Sequence, residues 1–149
     1  MAFRDKYARL VHTMDLFRGL SPDELMKLMT MGLTEAVHKD TVLFKKGSTG
    51  KKMYVILEGK VNIVDEGKVL ATLGKGELFG EMALFSEEPR NATAVAEESS
   101  SFFVLTANSL NELFTKRIAI QLLLNIVGKL SERLRKADEL LAERDTTTC

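Results

Sequence analysis

The sequence predicts an α+β chain that is mainly β, an antiparallel sandwich or barrel flanked by N-terminal helices and a long C-terminal helix. Three observations predict it. Seven of the ten glycines fall between Gly47 and Gly80, where they punctuate short β-rich runs. Runs of four to six residues between glycine-containing turns are the mark of an antiparallel sandwich or barrel. On either side, apolar residues recur at three- and four-residue spacing, as on one face of a helix.

The elements follow in order. Residues 1 to about 38 read as helical: Phe3, Tyr7, Leu10, Val11 and Met14 share a face. A second helix starts at Ser21-Pro22-Asp23-Glu24, with Ser21 as cap, Pro22 at the first position and Glu24 three residues on. Leu25, Leu28 and Met29 supply its apolar side; Met26, Met29 and Met31 read as core filler or as an adaptable groove. From about 40 to 105 come the strands Thr41–Phe44, Met53–Leu57, Val61–Val64, Val69–Leu73, Ala92–Ala96 and Phe102–Leu105. Glu77–Phe85 interrupts them as a short helix in a loop. Residues 107 to 143 are helical again. Ile120, Leu123, Val127, Leu130, Leu134, Ala137 and Leu141 repeat with alternating spacings of three and four. That stripe suits a dimer seam or a helix packed on its own domain.

The 149 residues suffice for one domain, and Met1 with the polar tail Asp145–Cys149 suggests a complete small chain. Lys plus Arg is 21 and Asp plus Glu is 21, so the net charge is zero. A surface that coats nucleic acid or an anionic membrane is normally basic, which argues against both partners. Two His and one Cys argue against a His-rich metal site, a Cys cluster or an intrachain disulfide. Cys149, the last residue, reads as a free thiol in a reducing compartment. There is no apolar run of the roughly 18 residues a membrane span needs. No apolar segment follows the basic N-terminus as in a secretory signal. The expected location is cytoplasmic. Ser99, Ser100 and Ser101 have no partnered base, and Cys149 is badly placed for nucleophilic work, so no enzyme machinery is predicted.

The segment that carries chemistry is Leu78-Phe79-Gly80-Glu81-Met82-Ala83-Leu84-Phe85, then Pro89-Arg90-Asn91-Ala92-Thr93. A helix beginning near Gly80 turns free N–H groups into a loop, a setting that suits an anion. Arg90 follows a proline-stiffened turn and offers a fork suited to phosphate. Glu81 would repel phosphate and suits a sugar hydroxyl instead. The pattern asks for a small molecule with one phosphate charge and a nearby sugar hydroxyl. The plainer alternative is a solvated Glu81–Arg90 salt bridge, which would contribute little.

This segment, residues 78–93, resembles the phosphate-binding cassette of the cyclic nucleotide-binding domain family, of the catabolite activator protein and protein kinase A regulatory subunit type. Leu16-Phe17-Arg18-Gly19-Leu20-Ser21, Leu43-Phe44-Lys45-Lys46-Gly47 and Met53–Val61 resemble further parts of that family. The resemblance runs from about residue 14 to about 135. It implies a β-roll or jelly-roll barrel and a cyclic nucleotide as ligand, cAMP first and cGMP second. It implies that Glu81 accepts the ribose 2′-hydroxyl, that Gly80 allows close approach, and that Arg90 pairs with the cyclic phosphate. It implies phosphate contacts from the N–H groups of Ala83 and Asn91, with Met82 and Ala92 in the same cassette. Val61, Leu73 and Phe79 would line the pocket near base and sugar. Asn91 departs from the Ala, Ser or Thr common in the family.

The implied mechanism is closure of the C-terminal helix over the base, through Leu or Ile or a polar group such as Asn125. The implied protein is a non-catalytic regulator with an effector protein the sequence does not identify, and a homodimer through the C-terminal helix. The alternative is a scaffold that binds no ligand and dimerises through the 120–141 helix. DNA binding is not expected, because no helix-turn-helix module follows Leu141.

Overall fold

The computed structural model describes residues 14–109 and 117–147. The first predicted helix, and Leu110, Leu113 and Phe114, lie outside the described residues. A single 3₁₀ turn, Asp15–Phe17, buries Leu16 and Phe17. Helix α1, Pro22–Met31, carries the predicted capping box. Ser21 Oγ accepts from the Glu24 N–H at 3.2 Å, and Glu24 Oε1 accepts from the Ser21 N–H at 3.0 Å.

Eight strands follow: β1 Leu33–Val37, β2 Val42–Phe44, β3 Lys52–Glu58, β4 Val61–Asp65, β5 Lys68–Leu73, β6 Leu78–Phe79, β7 Thr93–Ala96 and β8 Ser100–Thr106. They form two four-stranded antiparallel sheets, ordered β1-β8-β3-β6 and β2-β7-β4-β5. The strands do not close into a barrel. The β4–β5 hairpin turns through Glu66 and Gly67, both at positive φ (49° and 78°), which matches the twist of the strands it joins.

Two stretches differ from the sequence reading. Residues 33–37, read as the end of a helix, are a strand paired from Leu33↔Val104 to Val37↔Ser100. Gly32 ends α1, Thr34 and Val37 are β-branched, and the open edge of β8 takes the segment as its partner. Within 77–85 only α2, Met82–Phe85, is helical. Leu78 and Phe79 instead pair with Val55 and Tyr54 of β3, and Gly80 at φ 76° breaks the chain between strand and helix.

The central strands of the first sheet, β3 and β8, are buried on both faces, which is why they read as unbroken apolar runs. Tyr54, Ile56, Phe102 and Val104 face the second sheet, where they meet Val61 and Ala94. Met53, Val55, Leu57, Phe103 and Leu105 face the other way, onto Leu16, Phe17, Leu25 and Leu28. The long helix α3, Arg117–Thr147, packs on that same side through Ile118, Ala119, Leu122 and Ile126. Its inward stripe is thus offset from the predicted seam. Of that seam only Leu130 packs against the core, while Ile120, Val127, Leu134 and Leu141 are 57–65% exposed.

The base of α3 is fastened to the N-terminal turn. Arg117 donates to the Gly19 carbonyl (2.8 Å) and pairs with Glu24 (2.9 Å). Asn125 Nδ2 donates to the carbonyls of Leu16 (2.6 Å) and Arg18 (2.9 Å). That commitment removes Asn125 from the capping role expected of it; the groups it binds lie on the far side of the first sheet from the second.

Candidate functional site

A cavity of about 330 Å³ opens between the second sheet, the loop around α2, and α3. Its apolar wall is Ile63 of β4, Ala71 and Leu73 of β5, and Met82. The rest of its wall includes Phe44, residues 79–83 and 88–92, Ser86 and Arg133. This size suits a small organic ligand. Of the predicted residues, Leu73, Phe79, Gly80, Glu81, Met82, Ala83, Arg90, Asn91 and Ala92 all line it. Val61 does not. It is fully buried between the sheets, and Ile63, two residues along the same face of β4, takes the lining position.

Phe44 and Phe79 of the cavity wall belong to a larger aromatic cluster beneath it. Tyr54 and Phe79 stack with centroids 5.0 Å apart and rings within 6° of parallel. Phe102 meets both edge-on at 5.7 Å. Phe44 completes the cluster, and the Arg90 guanidinium lies 4.0 Å above its ring centroid.

Arg90 is held from several directions. Its backbone N–H donates to the Ser48 carbonyl (2.8 Å), and its carbonyl accepts from the Gly47 N–H (2.7 Å). Nη1 donates to the Gly80 carbonyl at 3.1 Å and Nη2 to the Lys52 carbonyl at 2.9 Å. Nε is buried and, among the described residues, has no hydrogen-bond partner. Burial lowers the Arg90 pKa from the ordinary arginine value, partly opposed by Tyr54 and Glu81. Gly80 and Gly50 make the seat. A Cβ on Gly80 would lie 2.8 Å from Nη1, and one on Gly50 2.8 Å from Nη2.

Glu81 stands just before α2 and is 9% exposed. It does not pair with Arg90, so the surface salt bridge weighed above is not formed. Its Oε1 instead accepts from Arg133 Nη1 at 3.2 Å, and Arg133 Nη2 donates to the Leu78 carbonyl at 2.6 Å. The Ala83 N–H donates to the Gly80 carbonyl at 3.2 Å, closing the loop on itself. Among the described residues the Asn91 N–H meets no backbone carbonyl.

Sequence reasoning missed Phe44, Gly50, Tyr54, Ile63, Ala71 and Arg133. Only Arg133 left a readable signal. It falls seven residues after Ile126 and three after Leu130, so it continues the buried stripe of α3 as a cation. Among the described residues no group of three His, Cys, Asp or Glu could hold a metal ion, and no helix is long and apolar enough to cross a membrane.

The comparisons agree with this architecture. The model of the cyclic nucleotide-binding domain family matches residues 34–117. The chain is 33% identical over 128 residues to the cyclic AMP receptor protein of Thermus thermophilus, spanning 83% of this chain and 58% of that protein. It is 30% identical over 101 residues to human cGMP-dependent protein kinase 2, covering 64% of this chain and 13% of the kinase. The crystal structure of a cyclic nucleotide-binding domain from Methylobacillus flagellatus superposes with a TM-score of 0.81 at 26% identity, over 95% of this chain and 84% of that one. The chain belongs to the cyclic nucleotide-binding domain family. It spans little more than half of the bacterial receptor it matches and a small part of the kinase.

Proposed function

We propose that the cavity binds a cyclic nucleotide, cAMP as first ligand and cGMP as second, and that the chain is a non-catalytic cytoplasmic regulator forming one domain. The observation that carries this is Arg90. A half-buried guanidinium whose Nε–H is itself buried and unpartnered, with no carboxylate at salt-bridge distance among the described residues, is costly unless an anion completes it. In this reading the cyclic phosphate meets Arg90, with the Asn91 N–H beside it; Ala83 contributes once the loop frees its N–H. Glu81 accepts the ribose 2′-hydroxyl. Ile63, Ala71, Leu73 and Met82 supply the apolar side for base and sugar.

Two supports come from the relatives: one is a cyclic AMP receptor protein and another a cGMP-dependent kinase, so both nucleotides are represented among proteins similar to this chain. The output in this reading is the pose of α3, whose outward residues Ile120, Leu124, Val127, Leu134 and Leu141 form a homodimer seam and a surface for an effector protein. Calorimetry with cAMP and cGMP tests it. Arg90→Ala should weaken binding by about 2–5 kcal/mol, the usual loss when one partner of a buried charged contact is truncated. Unchanged affinity in Arg90→Ala, or no heat with either nucleotide at millimolar concentration, would overturn the proposal.

A further inference from the structure

We propose that Phe44 positions Arg90 for the ligand: its ring face stands where a counter-ion would otherwise stand, fixing the guanidinium while leaving its full charge to the ligand phosphate. This rests on the reading of the cavity given above. The geometry carries it. The Arg90 guanidinium lies 4.0 Å above the centroid of the Phe44 ring. A ring face attracts a cation through its quadrupole and carries no net charge. A carboxylate in the same place would also hold the guanidinium, but it would neutralise the cation and compete with the phosphate. Among the described residues no carboxylate lies at salt-bridge distance from Arg90, and its side-chain hydrogen bonds go to neutral groups, the carbonyls of Gly80 and Lys52.

The ring is itself held. Phe44 ends β2 and sits opposite Ala94 of β7, whose side chain is a single methyl. Its centroid is 6.2 Å from that of Tyr54 and 6.0 Å from that of Phe79, with the rings tilted by 38° and 39°. Tyr54 and Phe79 are buried, so the Phe44 ring rests on a packed aromatic cluster. The two carbonyls come from the same neighbourhood. Lys52 opens β3 two residues before Tyr54, and Gly80 directly follows Phe79. A Cβ on Gly80 would meet the cation and the ring together, 2.8 Å from Nη1 and 3.5 Å from Phe44 Cε2. Ring, cation and ligand loop thus share one packing. Phe44 takes a face of the guanidinium and the carbonyls take one N–H of each Nη, which leaves the remaining N–H groups, Nε among them, for an anion. A ring that merely walled the cavity would serve the base instead, and experiment separates the two roles.

The test replaces Phe44 in the full chain with phenylalanines carrying one, two and three ring fluorines, and titrates each protein with cAMP and cGMP by calorimetry. Each fluorine withdraws charge from the ring face and leaves the side chain nearly the same size. Affinity should fall stepwise along the series. Phe44→Leu, which keeps an apolar side chain without a ring, should bind about five- to thirtyfold more weakly, the weight of a partly desolvated cation–ring contact. The fluorinated proteins guard against a loss in Phe44→Leu caused by misfolding. Binding of cAMP and cGMP should weaken by the same factor, because the contact acts through the phosphate. Affinity that stays level along the fluorine series would overturn the inference while leaving the Arg90→Ala result standing. A fall that differs between the two nucleotides would overturn it too, since the ring would then touch the base. No binding by the unaltered chain would sink both this inference and the reading beneath it.

Discussion

Gly80→Ala is the substitution whose effect can be worked out most fully from the structure. Gly80 has φ 76°, a left-handed conformation that costs an L-residue with a Cβ roughly 1–2 kcal/mol. The added methyl would lie 2.8 Å from Arg90 Nη1 and 3.1 Å from the Lys52 carbonyl oxygen. The guanidinium end can swing away, but the Lys52 carbonyl belongs to the start of β3 and yields little. Moving Arg90 forfeits its bond to the Gly80 carbonyl, worth about 1 kcal/mol. Together these give a loss of roughly 2–3 kcal/mol, or about 4–12 °C in melting temperature for a chain of this length. Because the displaced group is the proposed phosphate partner, cAMP affinity should fall by at least about tenfold in the same protein. Thermal melts followed by circular dichroism, with and without cAMP, read both quantities. A variant that melts within about 1 °C of the parent and binds cAMP normally would refute the claim that Gly80 makes room for Arg90.

Other predictions follow from the helix and its anchors. Val127→Glu with Leu134→Glu should convert a solution dimer to a monomer in sedimentation equilibrium, because both side chains face outward on the same side of α3; an unaltered chain that is monomeric with and without nucleotide refutes the seam. Asp15 titrates below the ordinary carboxylate value because Lys129 donates to it, and Glu24 does so because the Ser21 backbone N–H donates to it. Carboxylates depressed in the folded state add stability above their unfolded pKa and lose it as pH falls through the folded one. The melting temperature should therefore drop on acidification through and below the usual carboxylate range, less steeply in Lys129→Ala; identical acid profiles for the two proteins would count against that anchor.

Much of the site was legible because its logic is local. The order Phe79-Gly80-Glu81, then Pro89-Arg90, lies within about a dozen residues, and its conformational demands fall on Gly and Pro. The capping box of α1 is equally local, and so are the apolar runs of β3 and β8. What escaped was long-range. Residues 33–37 are largely exposed or half-buried, so nothing in their own pattern marks them as a strand; β8, nearly 70 residues later, does. Leu78 and Phe79 are strand only because Tyr54 and Val55 offer them partners. Asn125 looked free to reach a ligand until Leu16 and Arg18 brought their carbonyls to it.

By itself, then, the sequence determined the mainly β class, the loop at 78–93 and the pairing of Glu81 with Arg90 as its candidate residues, since each depends on spacing within a turn or a strand. The tertiary structure decided their partners. Glu81 and Arg90 are not each other's counter-ion. Arg90 sits on Phe44 between the carbonyls of Gly80 and Lys52, and Glu81 is joined to Arg133, 52 residues away in sequence. A charge in a low-dielectric wall takes whichever group the fold brings within hydrogen-bond reach, and no local pattern records that distance.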